Sequence, residues 1–585
     1  MARLDSTYYL VLIETSGNQG FIFSTNKLKE NIGASEVTYQ AGTFWAIEAV
    51  AIENKTVLFK DWRNPSKLRQ MLMAPQQNPP LDNNSNCRAE IIVASSGKAL
   101  ILVKTEESAR NIIQFVTRKA LVEAPGLDLC GVFVEFDWNA TQSNGKPTIA
   151  DAIRKVHRKF EEVRSRLPSP TTRFLRVPII AECKVSGLPA CTLESLTDND
   201  KDLTPTSKVS SIKRQFAKQA RERLMEIDPC LLSNIRVLED SFDSDKMPWL
   251  AVVHADGNGL GQIFIKFEKY IGQEKTNRNY IKKYREFSLA LDFCTEAAFK
   301  KAIKVFKQES ENCPIVPLIV GGDDLTVVCH GEYALEFTRV FLQEFEKETK
   351  NESHIAEVAQ AAFGVNRLSA CAGISIVKRH FPFSVAYDLA EKLIKSAKDV
   401  KRKVLTPDSN DKNQTPFPCS AIDFHILYDT SGIELDSIRK KLGRDSDTTL
   451  LYNRPYIVSD MDNLTSAKGK EWAKQHEWER LKQRVDLLNR KDSESRDRPP
   501  ISSSQSHAIR TALFIGKDEA DAQYALIRQR YNLDQFAESE DNKSLFYETT
   551  REKDNRTETI YITSFLDALD AQEFLKNEQT HPSEQ

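Results

Sequence analysis

The chain has 585 residues, which at roughly 150 residues per domain suggests about four domain-sized pieces. Its 81 basic and 83 acidic residues leave a formal net charge of −2, which excludes a strongly basic nucleic-acid coat but leaves room for local basic patches. A hydrophobic share of 40 % excludes a disordered chain, and 22 glycines, about half the usual share, exclude collagen-like or Gly-rich low-complexity sequence.

No apolar run approaches the roughly 18–20 residues that span a bilayer. Residues 1–12 lack the pattern of a secretory signal, and the ten cysteines are scattered rather than spaced as a disulfide framework. A soluble, cytoplasmic, multidomain protein with no membrane partner is expected.

Residues 8–14 form a β-type apolar run ending at the turn-rich Thr15-Ser16-Gly17-Asn18. A second β region, 89–104, holds Ser95-Ser96-Gly97-Lys98 between two apolar runs, a hairpin signal. Residues 106–122 have helical spacing with Ile112, Ile113, Val116 and Ala120 on one side, and 129–136 read as a strand. These segments make up a first α+β domain over 1–145. Residues 146–240 differ in character. A charged helix at 150–167 stops at Pro168 and Pro170, Cys183 and Cys191 bracket a short turn, and 207–224 form a basic helix carrying Lys208, Lys213, Arg214, Lys218, Arg221 and Arg223. Such a helix suits a solvated charged face, with contact to an RNA backbone as the rival reading.

A third region, 241–430, returns to β-type sequence. The strand at 249–255 runs into Asp256-Gly-Asn-Gly-Leu-Gly, and strands at 315–320 and 325–329 flank Gly321-Gly322-Asp323-Asp324. A strand at 368–377 and an amphipathic helix at 383–401 follow. The last segment, 431–585, is charged and reads as a helical bundle, with Trp472 and Trp478 at core spacing and a polar linker over 489–500.

The first and third regions repeat one another. Residues 11–23 lie on 252–264 without a gap, placing Gly20 on Gly261, Ile22 on Ile263 and Phe23 on Phe264. Each has the order strand, helix, hairpin, helix, strand, which predicts two ferredoxin-like sheets. Thr15 stands where Asp256 stands, and the first copy has no carboxylate at the positions of Asp323 and Asp324. The fold class is therefore α+β, with two such domains, an inserted linker domain and a C-terminal helical bundle.

Asp256 at a strand end and Asp323–Asp324 at a hairpin tip can bring carboxylates side by side. A few carboxylates together with substrate phosphates are the usual surroundings of Mg²⁺, and paired divalent ions can activate a hydroxyl and stabilise a leaving pyrophosphate. Gly257, Gly321 and Gly322 would let a nucleotide approach bare backbone, and Lys398 can meet a triphosphate as a point charge. The bland alternative is that a lone Gly-Gly-Asp-Asp is only a turn. His254 reads as a packed strand residue.

Val253-His-Ala-Asp-Gly-Asn-Gly-Leu-Gly, Gly321-Gly-Asp-Asp, Ala372-Gly-Ile-Ser-Ile and Ser396-Ala-Lys398 resemble the second palm domain of the large polymerase-like subunit of type III CRISPR effector complexes. Ser420-Ala-Ile-Asp-Phe-His-Ile-Leu and Leu450-Leu-Tyr-Asn-Arg-Pro-Tyr resemble the region after that palm. The resemblance implies a palm-type nucleotidyltransferase that uses ATP with Mg²⁺ or Mn²⁺ to make cyclic oligoadenylates as an antiviral messenger. It makes Asp256, Asp323 and Asp324, with the Gly257 carbonyl, the metal ligands. Gly321, Gly322 and Asn258 would lie at the nucleotide, Lys398 at the triphosphate, and the first palm would be a degenerate partner holding a second nucleotide. RNA and other effector subunits are the implied partners.

Three departures from the family stand out. Asn258 replaces a second acid. No His-Asp dipeptide occurs in the sequence, so a member without the nuclease domain is expected. No C-x2-C pair exists, which leaves only Cys183 and Cys191 for the family's inter-palm zinc. The rival reading from another functional class is a non-catalytic scaffold subunit that binds nucleotides or RNA.

Overall fold

The computed structural model describes residues 7–84, 86–141, 146–195, 202–231, 248–272, 274, 276–307, 314–379, 381–409, 414–428, 434–489, 501–531, 534–539, 541, 543–553 and 556–575. The polar linker expected over 489–500 lies, beyond Asn489, outside these residues.

Strands β1 (Thr7–Ser16), β2 (Ala89–Ser95), β3 (Lys98–Val103) and β4 (Asp128–Asp137) form an antiparallel sheet in the order β2-β3-β1-β4. Leu10 to Ile13 are fully buried on β1. A continuous buried run, rather than alternation, means that both sheet faces are covered. One covering helix, Glu106–Glu123, begins where the Thr105 hydroxyl accepts the Ser108 N–H at 3.1 Å, with Glu106 and Glu107 in its first turn, and buries Ile112, Val116 and Ala120. The helix Ile149–Arg164 also packs on β4 and β1, so the first unit continues past the boundary expected at 145.

A hairpin of β5 (Ala190–Ser195) and β6 (Leu203–Ser207) leads into the basic helix Lys208–Ile227. Here the structure corrects the sequence reading, because this helix presents much of its charge to the protein. It packs on the helix Leu28–Gly42, close enough that a Cβ on Gly33 would overlap the Lys213 carbonyl. Lys213, 1 % exposed, donates to the Ser24 hydroxyl at 2.8 Å and the Phe21 carbonyl at 2.5 Å. Arg223 meets Glu36 at 2.7 Å and Arg214 meets Glu30 at 2.9 Å. Both glutamates are fully buried and require cationic partners. Lys208 and Lys218 remain exposed.

The second sheet contains β7 (Trp249–Gly257), β8 (Ile315–Gly321), β9 (Asp324–His330), β10 (Ala370–Lys378) and β11 (Ala421–Leu427). The order β8-β9-β7-β10 is that of β2-β3-β1-β4, and β11 adds to it parallel to β10. The long helix Asn277–Ala302 starts at Thr276, whose hydroxyl accepts the Asn279 N–H at 3.2 Å. The helix Phe383–Ala397 lies so near β10 that a Cβ on Gly373 would overlap the Ala390 carbonyl oxygen and the Ile394 nitrogen. Glycine is required there by proximity.

The last segment differs from the expected all-helical bundle. Beside the helices Trp478–Asn489, Ser503–Ile515, Lys517–Tyr531 and Phe565–Ala571 it holds a small sheet. Strands β12 (Gly443–Arg444), β13 (Thr449–Leu450), β15 (Tyr547–Lys553) and β16 (Arg556–Ile562) order as β12-β13-β16-β15, while β14 (Tyr456–Ile457) pairs with β11 of the second sheet. The β15–β16 hairpin was illegible because it is mostly Thr, Glu, Arg and Lys, with only Tyr547, Ile560 and Ile562 buried among its described side chains. Trp478 is a core residue as expected, and Trp472 stacks on His476 at 4.0 Å. Among the described residues no helix is long and apolar enough to cross a membrane.

Candidate active site

The β7–β9 ladder ends at the pair Ala255 and Leu325, so the next residue on each strand, Asp256 and Asp324, stand opposite one another. Opposed residues of an antiparallel pair share a face, and like charges placed so repel. Asp323 joins them from the β8–β9 turn, whose first central residue, Gly322, has φ 63°, a conformation suited to glycine. One carboxylate oxygen from each of Asp256, Asp323 and Asp324 lies within 4.8 Å of the others. Among the described residues this is the one cluster of three or more His, Cys, Asp or Glu side chains with such spacing.

The surroundings intensify the repulsion. Each carboxylate keeps part of its surface accessible to solvent, yet the enclosing protein pushes the carboxyls of Asp323 and Asp324 upward, and the charge of Asp323 pushes Asp324 further. The Gly257 backbone N–H and the charges of Lys98 and Lys401 act in the opposite direction on Asp323. Lys398, the residue that closes the helix Phe383–Ala397, places its ammonium on the Asp256 carboxylate. Burial and then the nearby Lys401 lower its pKa to about 8. The triad therefore already attracts a cation, and hard oxygen ligands in this number suit Mg²⁺ or Mn²⁺.

The glycines fit close approach. A Cβ on Gly257 would stand 2.9 Å from the Asp323 Cβ and displace that carboxylate. At Gly321 it would collide with the Ser96 hydroxyl, whereas at Gly322 it would meet nothing within 4 Å. Asn258 is placed otherwise than at an open face. It is 8 % exposed, and its amide nitrogen lies 3.1 Å from the Ser369 hydroxyl, 3.2 Å from Cys371 Sγ and 3.0 Å from the Cys419 carbonyl. His254 is buried on β7 beside the Thr326 hydroxyl at 3.0 Å, and its pKa falls to about 4 through burial, so it is a neutral packing residue at pH 7.

Three contributors were missed in the sequence. Asp292, on the helix Asn277–Ala302, accepts the Gly322 N–H at 3.2 Å and is held by Arg69 at 2.8 Å. Thr295 donates to the Gly322 carbonyl at 2.6 Å. The first-sheet hairpin then brings Ser96 against Gly321 and the charge of Lys98 toward Asp323, while Lys98 itself sits 3.3 Å from Glu14 and 2.8 Å from His157. The internal repeat was the available signal, because it aligned this hairpin with Gly321–Asp324. In the first sheet Thr15 donates through both its backbone N–H and its hydroxyl to the Gly97 carbonyl, at 2.9 and 3.2 Å, a neutral closure where the second sheet gathers acids.

A βαββαβ sheet with acids at its central strand ends is the layout of a palm domain. Residues 249–406 match the family model described as Cas10/Cmr2, second palm domain, the likeness that the motifs around Asp256 and Asp323 imply. No curated protein matches the sequence. Solved structures that resemble the chain include a Csm1–Csm4 cassette in complex with cA4, at 12% identity and TM-score 0.37 over 71% of this chain and 57% of that one. Csm1 from T. onnurineus is 12% identical with TM-score 0.45 over 90% and 64%, and a type III-B Cmr-beta structure in the apo state is 10% identical with TM-score 0.47 over 98% and 82%. The chain thus spans 57% of the first of these, and at such scores the likenesses carry no weight for function.

Proposed function

We propose that the chain is a two-palm nucleotidyltransferase of the type III CRISPR kind, which converts ATP to a cyclic oligonucleotide. The sheet β8-β9-β7-β10 is the active palm, and β2-β3-β1-β4 is its degenerate partner. The observation that carries this reading is the acid triad, set at opposed strand ends beside the open turn glycine Gly322, within the segment that matches the Cas10/Cmr2 second-palm model.

Asp256, Asp323 and Asp324, with the Gly257 carbonyl, would hold Mg²⁺ or Mn²⁺, which when bound activates the attacking 3′-hydroxyl and offsets charge on the departing pyrophosphate. Lys398, now spent on Asp256, is free to turn to the triphosphate once the carboxylate has another cation. Only Gly322 has open space at its Cα, where a nucleotide could approach, whereas Gly321 is packed against Ser96 of the partner palm; Asn258 braces the loop after Asp256 rather than touching substrate. Lys98 supplies positive charge from the partner palm. Effector subunits and RNA are the partners this reading assigns.

The test is incubation of purified protein with ATP, and separately with the other nucleoside triphosphates, plus Mg²⁺ or Mn²⁺, with and without RNA. Products are resolved by mass spectrometry. A cyclic product is expected, and Asp323→Ala with Asp324→Ala should abolish it without lowering the melting temperature. Turnover retained in that double variant would overturn the proposal.

A further inference from the structure

The linker domain contains a second constellation that is independent of the acid triad. Cys183-Lys-Val-Ser186 and Ser207-Lys-Val-Ser210 are two segments of identical spacing, each the pattern of a C-x2-C metal knuckle with serine in place of cysteine. The fold brings all four side chains together. Cys183 Sγ lies 3.7 Å from the Ser210 hydroxyl, the Ser186 and Ser207 hydroxyls are 2.9 Å apart, and the Ser207 hydroxyl accepts the Ser210 N–H at 3.2 Å. Four thiolates about 2.3 Å from a zinc ion stand about 3.8 Å apart, close to the Cys183–Ser210 separation.

The backbone around the sulfur is that of a metal knuckle as well. The Gly187 N–H returns to the Cys183 carbonyl at 2.9 Å, the Cys183 N–H reaches the Leu188 carbonyl at 2.8 Å, and Gly187 takes φ 63°. Cys183, Ser207 and Ser210 are each 2 % exposed or less. Cys191, the other expected ligand, is the bulged residue of β5 and is exposed.

The donor set does not fit zinc. A structural zinc site needs four strong ligands, usually thiolate or imidazole, and serine hydroxyls stay protonated at neutral pH and bind it poorly. We propose that Cys183, Ser186, Ser207 and Ser210 are the four corners of a double-knuckle zinc site held without metal, its hydroxyls and thiol bridging the two segments by hydrogen bonds. Restoring the three missing thiols then restores zinc binding.

The experiment compares the full chain with its Ser186→Cys/Ser207→Cys/Ser210→Cys variant, both dialysed against EDTA. The natural protein is expected to retain no zinc and to melt at the same temperature before and after dialysis. The triple variant is expected to take up one equivalent of Co²⁺ with thiolate-to-cobalt absorption and tetrahedral d–d bands, and to melt higher when zinc is added. Carboxylates give no thiolate band, so the acid triad cannot imitate this result. EDTA-resistant zinc in the natural protein overturns the proposal, and so does a folded triple variant without the band. Should the triple variant not fold, Ser186→Cys alone restores one knuckle. A weaker cobalt–thiolate band then supports the proposal, and no band overturns it.

Discussion

Asp256 and Asp324 face one another across a strand pair, with Asp323 completing the triad, and in the absence of a cation that arrangement works against the fold. Their surroundings raise the carboxyls of Asp323 and Asp324 in the folded chain. A raised acid contributes stability that is fully present below its unfolded value, near 4 by the usual reference, and is lost as pH rises through the folded value. A divalent ion replaces the proton, so its stabilising effect must grow with pH. The rise in melting temperature on adding Mn²⁺ should therefore be larger at about pH 8 than at about pH 5. It should vanish in Asp323→Asn/Asp324→Asn. An equal rise at both pH values, or one that survives in the double variant, would separate metal binding from these carboxylates. The acids themselves were legible because strand end and glycine turn are local features of sequence. Asp292, Ser96 and Lys98 were not, since each reaches the turn from another part of the chain.

Among the elements, the helix Phe383–Ala397 is decisive, because Lys398 closes it and its seat on β10 depends on the missing side chain of Gly373. Gly373→Val must push the helix outward. Overpacking of this kind costs about 1–3 kcal/mol, and a shift of about 1 Å at a positioned group can cost on the order of 10²-fold in rate. Loss of cyclic product should thus exceed what the drop in folded fraction explains, with Gly20→Ala, where a Cβ meets nothing within 4 Å, as the neutral control. Product formation per folded molecule, read beside the melting curve, is the measurement. An unchanged value would free Lys398 from this dependence. Elements with clear periodicity were read closely, as with the helix expected over 106–122 and found over Glu106–Glu123. The β15–β16 hairpin was lost because both its faces are largely polar, and the basic helix was misjudged because Lys213 and Arg223 lie on its apolar stripe, Lys213 held by the Phe21 carbonyl and Ser24 hydroxyl and Arg223 by the buried Glu36, partners that only the tertiary fold reveals.

At the scale of the molecule, buried carboxylates tie the second sheet to the C-terminal segment, and Asp567 makes the largest set of such contacts. Asp567, with no exposed surface, meets Arg454 at 2.8 Å and accepts from the Tyr456 hydroxyl at 2.8 Å and the Asn453 N–H at 2.7 Å. Arg454 is itself fully buried and reaches Asp570 at 3.3 Å. Removing one member of such a pair leaves the other charge buried without its partner, at about 3–5 kcal/mol, whereas replacing both by apolar groups is often close to neutral. Asp567→Ala should therefore lower the melting temperature, by about 10 °C for a domain-sized cooperative unit. Adding Arg454→Met should recover part of that loss, because it removes the stranded guanidinium. The Tyr456 hydroxyl and Asn453 N–H would still lack their acceptor, so recovery should be incomplete. Calorimetry of the natural protein and the two variants decides the matter. If the double variant melts lower than Asp567→Ala, the junction is held by Arg454 through its other contacts, to Asp570 and the Phe424 carbonyl, and Asp567 is secondary.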